Sequence, residues 1–310
     1  MKNGQRHVFL FMIEKNMTYF LTFVASDLKN SPLNTDFLSF LHDYGYGDED
    51  NIAWLQPNRA VDISLESEIP LQEIHNLRRM LDTRQVDVFL TPAENRKKKL
   101  LLADMDCTIV VGETLDELSS FAGVKEQVEQ ITTRAMNGEL EFQAALKERV
   151  ALLQNLSAEA LEETARALQI MPGAQELVRT MKENGAKTVL VTGGFTFFSD
   201  DVADILGFDH AHGNTLEISE GLLTGNVIPP IIDQSAKLDF LKRYQSELNL
   251  QAHETMAIGD GANDLPMLQH AGLGVGYQPK QVLEEVLTNV IKHNDLSAAL
   301  YAQGYRNFEN

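Results

Sequence analysis

Apolar residues along this chain come in two rhythms. From Tyr19 to Leu90 short runs of strand type alternate with helical spacing. Tyr19-Phe-Leu-Thr-Phe-Val24 and Val86-Asp-Val-Phe-Leu90 read as strands, and Ala60-Val-Asp-Ile-Ser-Leu65 alternates with period two. A weaker strand is expected near Trp54. Thr35 is placed to cap a helix over residues 36–41 that Gly45 and Gly47 end. Pro70 opens a helix with Leu71, Ile74, Leu77 and Leu81 on one face. The resulting order, βαββαβ, is a ferredoxin-like pattern.

Pro92 to Lys99 is polar and charged and reads as a boundary. Two domains are therefore expected, 1–95 and 96–310, with Met17 an alternative start that leaves residues 1–16 as an extension. Past the boundary the pattern becomes the βα alternation of a parallel sheet covered on both faces. Leu100-Leu-Leu-Ala103 is a buried strand. Residues 113–170 then carry helical spacing and no strand signal, which reads as a helical cap inserted after that strand. Within it Gly138 marks a helix end and Ser157 a helix start. Pro172-Gly173 starts the return helix and Gly185 ends it. Leu216 to Leu223 alternates and turns at Glu220-Gly221, as a hairpin does.

Three of the strand-type runs end in residues that suit phosphate or metal. Asp104 and Asp106 follow the first. Residues i and i+2 share a face in a strand, so both carboxylates converge beyond its end, where open α/β sheets bind ligands. They repel unless a cation or a proton separates them. A solvated acidic turn accounts for the pair alone; so does a metal-bound carboxylate nucleophile beside an acid/base carboxylate. Thr192-Gly-Gly194 and Gly259-Asp-Gly-Ala-Asn-Asp264 end the other two runs, with Lys237 between them. The three together, in this order, are specific where none is alone.

Charge and composition narrow the partners. A net charge of −19 argues against nucleic acid and anionic membranes. It also makes individual basic residues beside an anionic substrate worth tracing. A single cysteine excludes an internal disulfide and suits a reducing cytoplasm. Cys107, beside the aspartates, reads as filler. No apolar run approaches the ~20 residues that cross a bilayer. Val8 to Ile13 is too short for a signal-peptide core.

Asp104-Met-Asp-Cys-Thr108, Thr192-Gly-Gly194, Lys237 and Gly259 to Asp264 resemble the four motifs of the haloacid-dehalogenase-like (HAD) phosphatases. Between the first two motifs, Glu113-Thr-Leu-Asp-Glu117, Thr132-Thr-Arg-Ala-Met-Asn-Gly138, Phe142 and Lys147-Glu-Arg-Val150 resemble the phosphoserine phosphatases of that family. The likeness spans roughly residues 98–300. The first 95 residues lie outside it. Their pattern is similar to ACT-type amino-acid-binding modules, a ligand-free packing or dimerisation role being the alternative.

The resemblance implies an α/β fold: a Rossmann-like parallel sheet of HAD type with a helical cap, behind a small α+β domain. It implies that Asp104 attacks phosphorus and that Asp106 protonates the leaving oxygen and later deprotonates water. It places Mg²⁺ on the Asp104 side chain, the Asp106 backbone carbonyl and Asp260, with Asp264 holding a metal-bound water from further out. Thr192, Gly193 and Lys237 would receive the phosphate. Asn263 contacts the phosphate or stabilises its loop. In the cap, Glu113 matches an ammonium partner, Arg149 a carboxylate partner, and Met136 and Phe142 apolar walls. The expected activity is Mg²⁺-dependent hydrolysis of O-phospho-L-serine in the cytoplasm, in a chain able to form a homodimer and to hold serine or another amino acid at its N-terminal domain. The rivals are a HAD phosphatase or phosphotransferase on another small ester, and an amino-acid sensor whose HAD half is idle.

Overall fold

The structure is a computed structural model and describes residues 18–26, 29–47, 49–136, 139–306 and 308. The expectations about residues 1–17 and about Gly138 fall outside these.

The first unit runs β1 (Tyr19–Ala25), α1 (Thr35–Asp43), β2 (Ile52–Gln56), β3 (Ala60–Leu65), α2 (Leu71–Leu81) and β4 (Val86–Pro92). Its strands pair antiparallel in the order β2-β3-β1-β4, the ferredoxin-like arrangement expected. The cap of α1 is Asn34 rather than Thr35: Asn34 is extended, and its side chain accepts the Phe37 N–H at 3.0 Å. An amide oxygen one residue earlier thus takes the place expected of the threonine hydroxyl. One face of this sheet packs Leu21, Phe23, Ile63 and Val88 against Phe37, Leu41, Ile74 and Leu77. The other face carries Val24, Ala60 and Phe89, which join the core of the second unit.

The second unit begins with β5 (Leu100–Ala103). Four cap helices follow: α3 (Thr114–Phe121), α4 (Lys125–Met136), α5 (Phe142–Ala151) and α6 (Glu159–Ala167). The chain continues through α7 (Ala174–Glu183), β6 (Lys187–Phe195), α8 (Thr196–Leu206), β7 (His210–Ser219), β8 (Leu222–Ile228), α9 (Gln234–Glu247), β9 (Thr255–Gly259) and α10 (Leu265–His270). It ends with β10 (Leu273–Tyr277), α11 (Gln281–Glu284), β11 (Asn289–Ile291) and α12 (Ala298–Ala302). Seven strands form one sheet in the order β11-β10-β9-β5-β6-β7-β8, parallel except for the β7–β8 hairpin.

β5 sits centrally because every residue of it is apolar and buried. Leu100 and Leu102 meet Leu241, Tyr244 and Met267 on one face; Leu101 and Ala103 join the core that holds Leu177, Val178 and Met181. Each leucine buried this way contributes ~1.5–3 kcal/mol. The chain leaves β5 toward β6 on one side and returns as β9 on the other. That reversal opens a crevice at the carboxyl end of β5, the usual ligand position in such sheets. The hairpin turns at Glu220 and Gly221, both at positive φ (52° and 79°), and β8 props up the cap through Asn155 N–H to Leu223 O and Leu223 N–H to Leu156 O.

The polar boundary run 93–99 carries buried contacts between the units. Arg96 holds Asp62 bidentately at 2.6 and 2.8 Å and also donates to Thr22 Oγ1, Tyr301 O and Ala302 O. Buried Lys98 donates to Asn95 O and His253 O, each at 2.8 Å. Asp87, on β4, accepts the N–H groups of Lys292, His293 and Asn294 together with the Asn294 amide. The two units are therefore joined by a satisfied buried polar network, the condition under which such burial is tolerated. Among the described residues no helix is long and apolar enough to cross a membrane.

Candidate active site

Three adjacent strands of the sheet deliver the three motifs to one point. Asp104 follows β5, Thr192 to Gly194 lie near the end of β6, and Asp260 follows β9. The Asp104 N–H donates to Ile258 O at 3.0 Å, which carries the β5–β9 ladder to the catalytic end of the strand. Asp104, Asp106, Glu113, Phe142, Arg149, Thr192, Gly193, Lys237, Asp260 and Asn263 line one cavity of about 130 Å³. Of the expected residues, the Met136 side chain lies outside the described set; Met136 itself ends α4. Asp264 is fully buried directly beneath the cavity's carboxylates.

Lys237 reaches in from the first turn of α9, whose start Asp233 caps by accepting the Ser235 and Ala236 N–H groups. Its Nζ lies 2.5 Å from Asp104 Oδ1 and 2.6 Å from Asp264 Oδ1, and all three side chains are almost completely buried. Burial opposes the Lys237 charge, but Asp104 and Asp264 overcome it and hold the ammonium above the usual lysine range. Asp264 Oδ2 accepts the N–H groups of Asp260 and Gly261, so both of its oxygens are engaged. Gly259 allows this fold-back: a Cβ there would stand 2.5 Å from Asp264 Cγ. Burial, and then repulsion from Asp264, push Asp104 well above the ordinary carboxylate range despite Lys237.

Asp106 turns to the cap side. It accepts the Thr114 N–H at 2.8 Å and the Thr192 hydroxyl at 3.0 Å, and burial raises its carboxyl more than these bonds lower it. The Thr192 hydroxyl, expected on phosphate, is thus directed at Asp106, while Thr192 Oγ1 itself accepts the Gly194 N–H at 2.8 Å. A Cβ on Gly194 would sit 2.9 Å from Asp106 Oδ2, which is why the motif has its second glycine.

Cap residues Glu113, Phe142, Leu146 and Arg149 form one wall of the cavity. A Cβ on Gly193 would meet Phe142 Cζ at 3.3 Å, so the phenyl ring rests on the loop. Burial, then the charge of Asp106, push Glu113 up to about 7. Arg149 donates to Ala145 O at 3.3 Å and Thr132 Oγ1 at 3.5 Å, and among the described residues it has no carboxylate within ion-pair distance. Cys107 is pushed up to about 12 by burial and then by Glu113, so it remains a thiol.

Two polar side chains outside the expected set, Lys280 and Thr114, also line the cavity. Lys280, after β10, donates its backbone N–H to Asp260 O, and its Nζ lies 3.5 Å from Asp260 Oδ2. Its signal was a lysine just past the carboxyl end of a fourth strand. Thr114 offers the first amide of α3 to Asp106, a helix N-terminus facing a carboxylate. Asp104, Asp260 and Asp264 present oxygens that all lie within 4.8 Å of one another. Such an all-oxygen set suits a hard divalent cation.

A family model for haloacid dehalogenase-like hydrolases matches residues 101–269. A phosphoserine phosphatase of Archaeoglobus fulgidus is 41% identical over 222 residues, 71% of this chain and 64% of that protein. The chain spans about half to two thirds of the length of this and similar curated relatives. Among solved structures, a probable phosphoserine phosphatase of Vibrio cholerae superposes with a TM-score of 0.73 at 29% identity, covering 95% of this chain and 90% of that one. A phosphoserine phosphatase holding a phospho-aspartyl intermediate analogue gives 0.61 at 36% identity over 66% of this chain and 98% of that one.

Proposed function

This chain belongs to the haloacid dehalogenase-like hydrolase family, and from that premise we propose that it hydrolyses O-phospho-L-serine to L-serine and phosphate. One observation carries the reading: a single cavity joins a buried Asp104–Lys237 pair to Glu113 and Arg149. The first pair suits phosphoryl transfer, and the second suits an ammonium and a carboxylate. Arg149 has the planar fork that binds a carboxylate bidentately, and among the described residues no carboxylate occupies it.

Asp104 attacks phosphorus while Asp106 gives its proton to the departing serine oxygen, and the phosphorus–oxygen bond to serine breaks. The raised carboxyl of Asp106 suits a group that must hold a proton at neutral pH. Asp106, now ionised, takes a proton from the water that attacks the aspartyl-phosphate, which restores Asp104. Lys237 and the Thr192–Gly193 loop carry the phosphate oxygens through both steps. Phe142 closes the cavity against stray water. Asn263, at the exposed rim, supports the loop or the phosphate. Met136 is assigned to the apolar wall.

The residues fit Mg²⁺: the Asp104 side chain, the Asp106 carbonyl and Asp260 would hold it, with Asp264 orienting from outside because its own oxygens are engaged. When bound, the ion neutralises charge on the transferring phosphoryl group. Burial and mutual repulsion already strain Asp104 toward protonation, and a cation relieves that. We place the protein in the cytoplasm, as its one cysteine suits. The N-terminal unit we assign to an amino-acid ligand or a homodimer contact; calorimetry with L-serine and sedimentation test the two. The main test is phosphate release from a panel of phosphorylated amino acids and sugars with Mg²⁺. Phosphoserine should lead in kcat/KM by at least about tenfold; a flat profile would overturn the assignment.

A further inference from the structure

Asn214 lies on β7, away from the cavity, and is completely buried. Its side-chain N–H groups donate to Gly193 O at 2.8 Å and Ile232 O at 3.1 Å, and its Oδ1 accepts the Ile232 N–H at 2.8 Å. Two donors and one acceptor in this span describe an amide and no other side chain of that size. The position matters because the β6–β7 register breaks between Val191 and Phe195, where Thr192 to Gly194 bulge toward the cavity. The Asn214 side chain supplies Gly193 with a bond in that gap. Through Ile232 the same side chain grips the segment that enters α9, one turn before Lys237.

We infer that Asn214 is a positioning residue for phosphate: its amide holds the Thr192–Gly194 loop and the start of α9 in one frame, so that loop and Lys237 meet the same phosphoryl group. The inference rests on the phosphatase reading above but does not depend on serine as the alcohol. Neighbouring Gly213 supports it, since a Cβ there would stand 2.9 Å from Thr196 N, so β7 is pressed against the end of the loop. Asn214→Asp keeps the acceptor for Ile232 and sets a charge against two carbonyls. Asn214→Ala removes all three bonds.

The test measures the affinity of the Mg²⁺-loaded protein for inorganic phosphate by calorimetry, kcat on p-nitrophenyl phosphate, and Tm, all well below the lowest Tm. Misplacing either phosphate-binding group by about 1 Å costs on the order of 100-fold. Both variants should therefore lose roughly 10- to 100-fold in phosphate affinity and kcat. Asn289→Ala is the control for lost stability alone: it removes a buried side-chain bond to the Leu90 N–H at the junction of the units. It should lower Tm comparably and leave phosphate affinity and kcat within about twofold, the ordinary result for a site remote from chemistry. If both Asn214 variants fail to fold, Asn214→Ser, which retains one donor, takes their place and should show an intermediate loss. Any folded Asn214 variant with a lowered Tm but unchanged phosphate affinity and kcat would overturn the inference. A wild type that binds phosphate yet cleaves no ester would overturn the hydrolase reading instead, and the binding comparison would still decide Asn214.

Discussion

Replacing Lys237 with methionine should separate stability from catalysis. Among the described residues its ammonium is the only cation within ion-pair reach of Asp104 and Asp264, at 2.5 and 2.6 Å among nearly fully buried groups. Methionine fills similar space but leaves two buried carboxylates uncompensated. Breaking a buried ion pair from one side costs about 3–5 kcal/mol, or roughly 6–20 °C in Tm for a unit of this size. The penalty has a definite pH sign. Asp104, already pushed up by burial, takes up a proton more readily folded than unfolded once Lys237 is gone, so the variant should approach wild type below about pH 4, the unfolded carboxylate value. The deficit then grows as pH rises through the folded value. Mg²⁺ brings positive charge to the same carboxylates and binds only the folded state, so it should raise the variant's Tm more than the wild type's. Activity should not return, because the cation that neutralised phosphate is gone. Calorimetric unfolding at pH 5 and 8, with and without Mg²⁺, checks each limb. A variant within about 2 °C of wild type at pH 8 without metal would refute the reasoning, since the predicted cost exceeds that several-fold.

Arg149→Lys keeps the charge and loses the fork, so phosphoserine kcat/KM should fall on the order of 10- to 150-fold while phosphoethanolamine, which lacks a carboxylate, changes little. Glu113 is pushed up to about 7, chiefly by burial; as pH falls from 8 to 6 it should become neutral and KM for phosphoserine should rise. That limb should be missing in Glu113→Gln and with 3-phosphoglycerate, which has no ammonium; its persistence in both would assign it to the substrate phosphate, whose own pKa is about 6. Asp87→Ala strands the N–H groups of Lys292 to Asn294 at the junction of the units. It should cost ~1–3 kcal/mol of stability and leave kcat unchanged; a large loss of kcat would show that the junction shapes the cavity.

What could be read from the sequence was whatever chemistry is carried by residues adjacent along the chain. Asp104, Thr192 and Asp260 each end an apolar strand, and parallel pairing of those strands brings them together. The cap was legible because residues 113–170 carry helical spacing and no strand signal. Lys280 and Asn214 gave little sign, because their importance comes from what the fold sets beside them: Asp260 for one, Gly193 and Ile232 for the other. Residues 93–99 read as a boundary, but their contacts were hidden for a related reason. Composition marks a polar segment as solvated, yet Arg96 and Lys98 are surrounded by carbonyls and carboxylates from distant parts of the chain. The shift from Thr35 to Asn34 is smaller in kind, since two capping residues stood side by side and backbone geometry chose between them.

The proposed chemistry requires Asp104 to act as a nucleophile toward phosphoserine. The direct measurement is rapid acid quench of the Mg²⁺-loaded enzyme after mixing with phosphoserine labelled in its phosphate, followed by mapping of any label on the protein. A covalent mechanism should give up to one labelled phosphate per chain, confined to the peptide bearing Asp104, formed and lost fast enough to support turnover, and absent in Asp104→Asn. Label on another residue, or undiminished turnover of phosphoserine by Asp104→Asn, would contradict it.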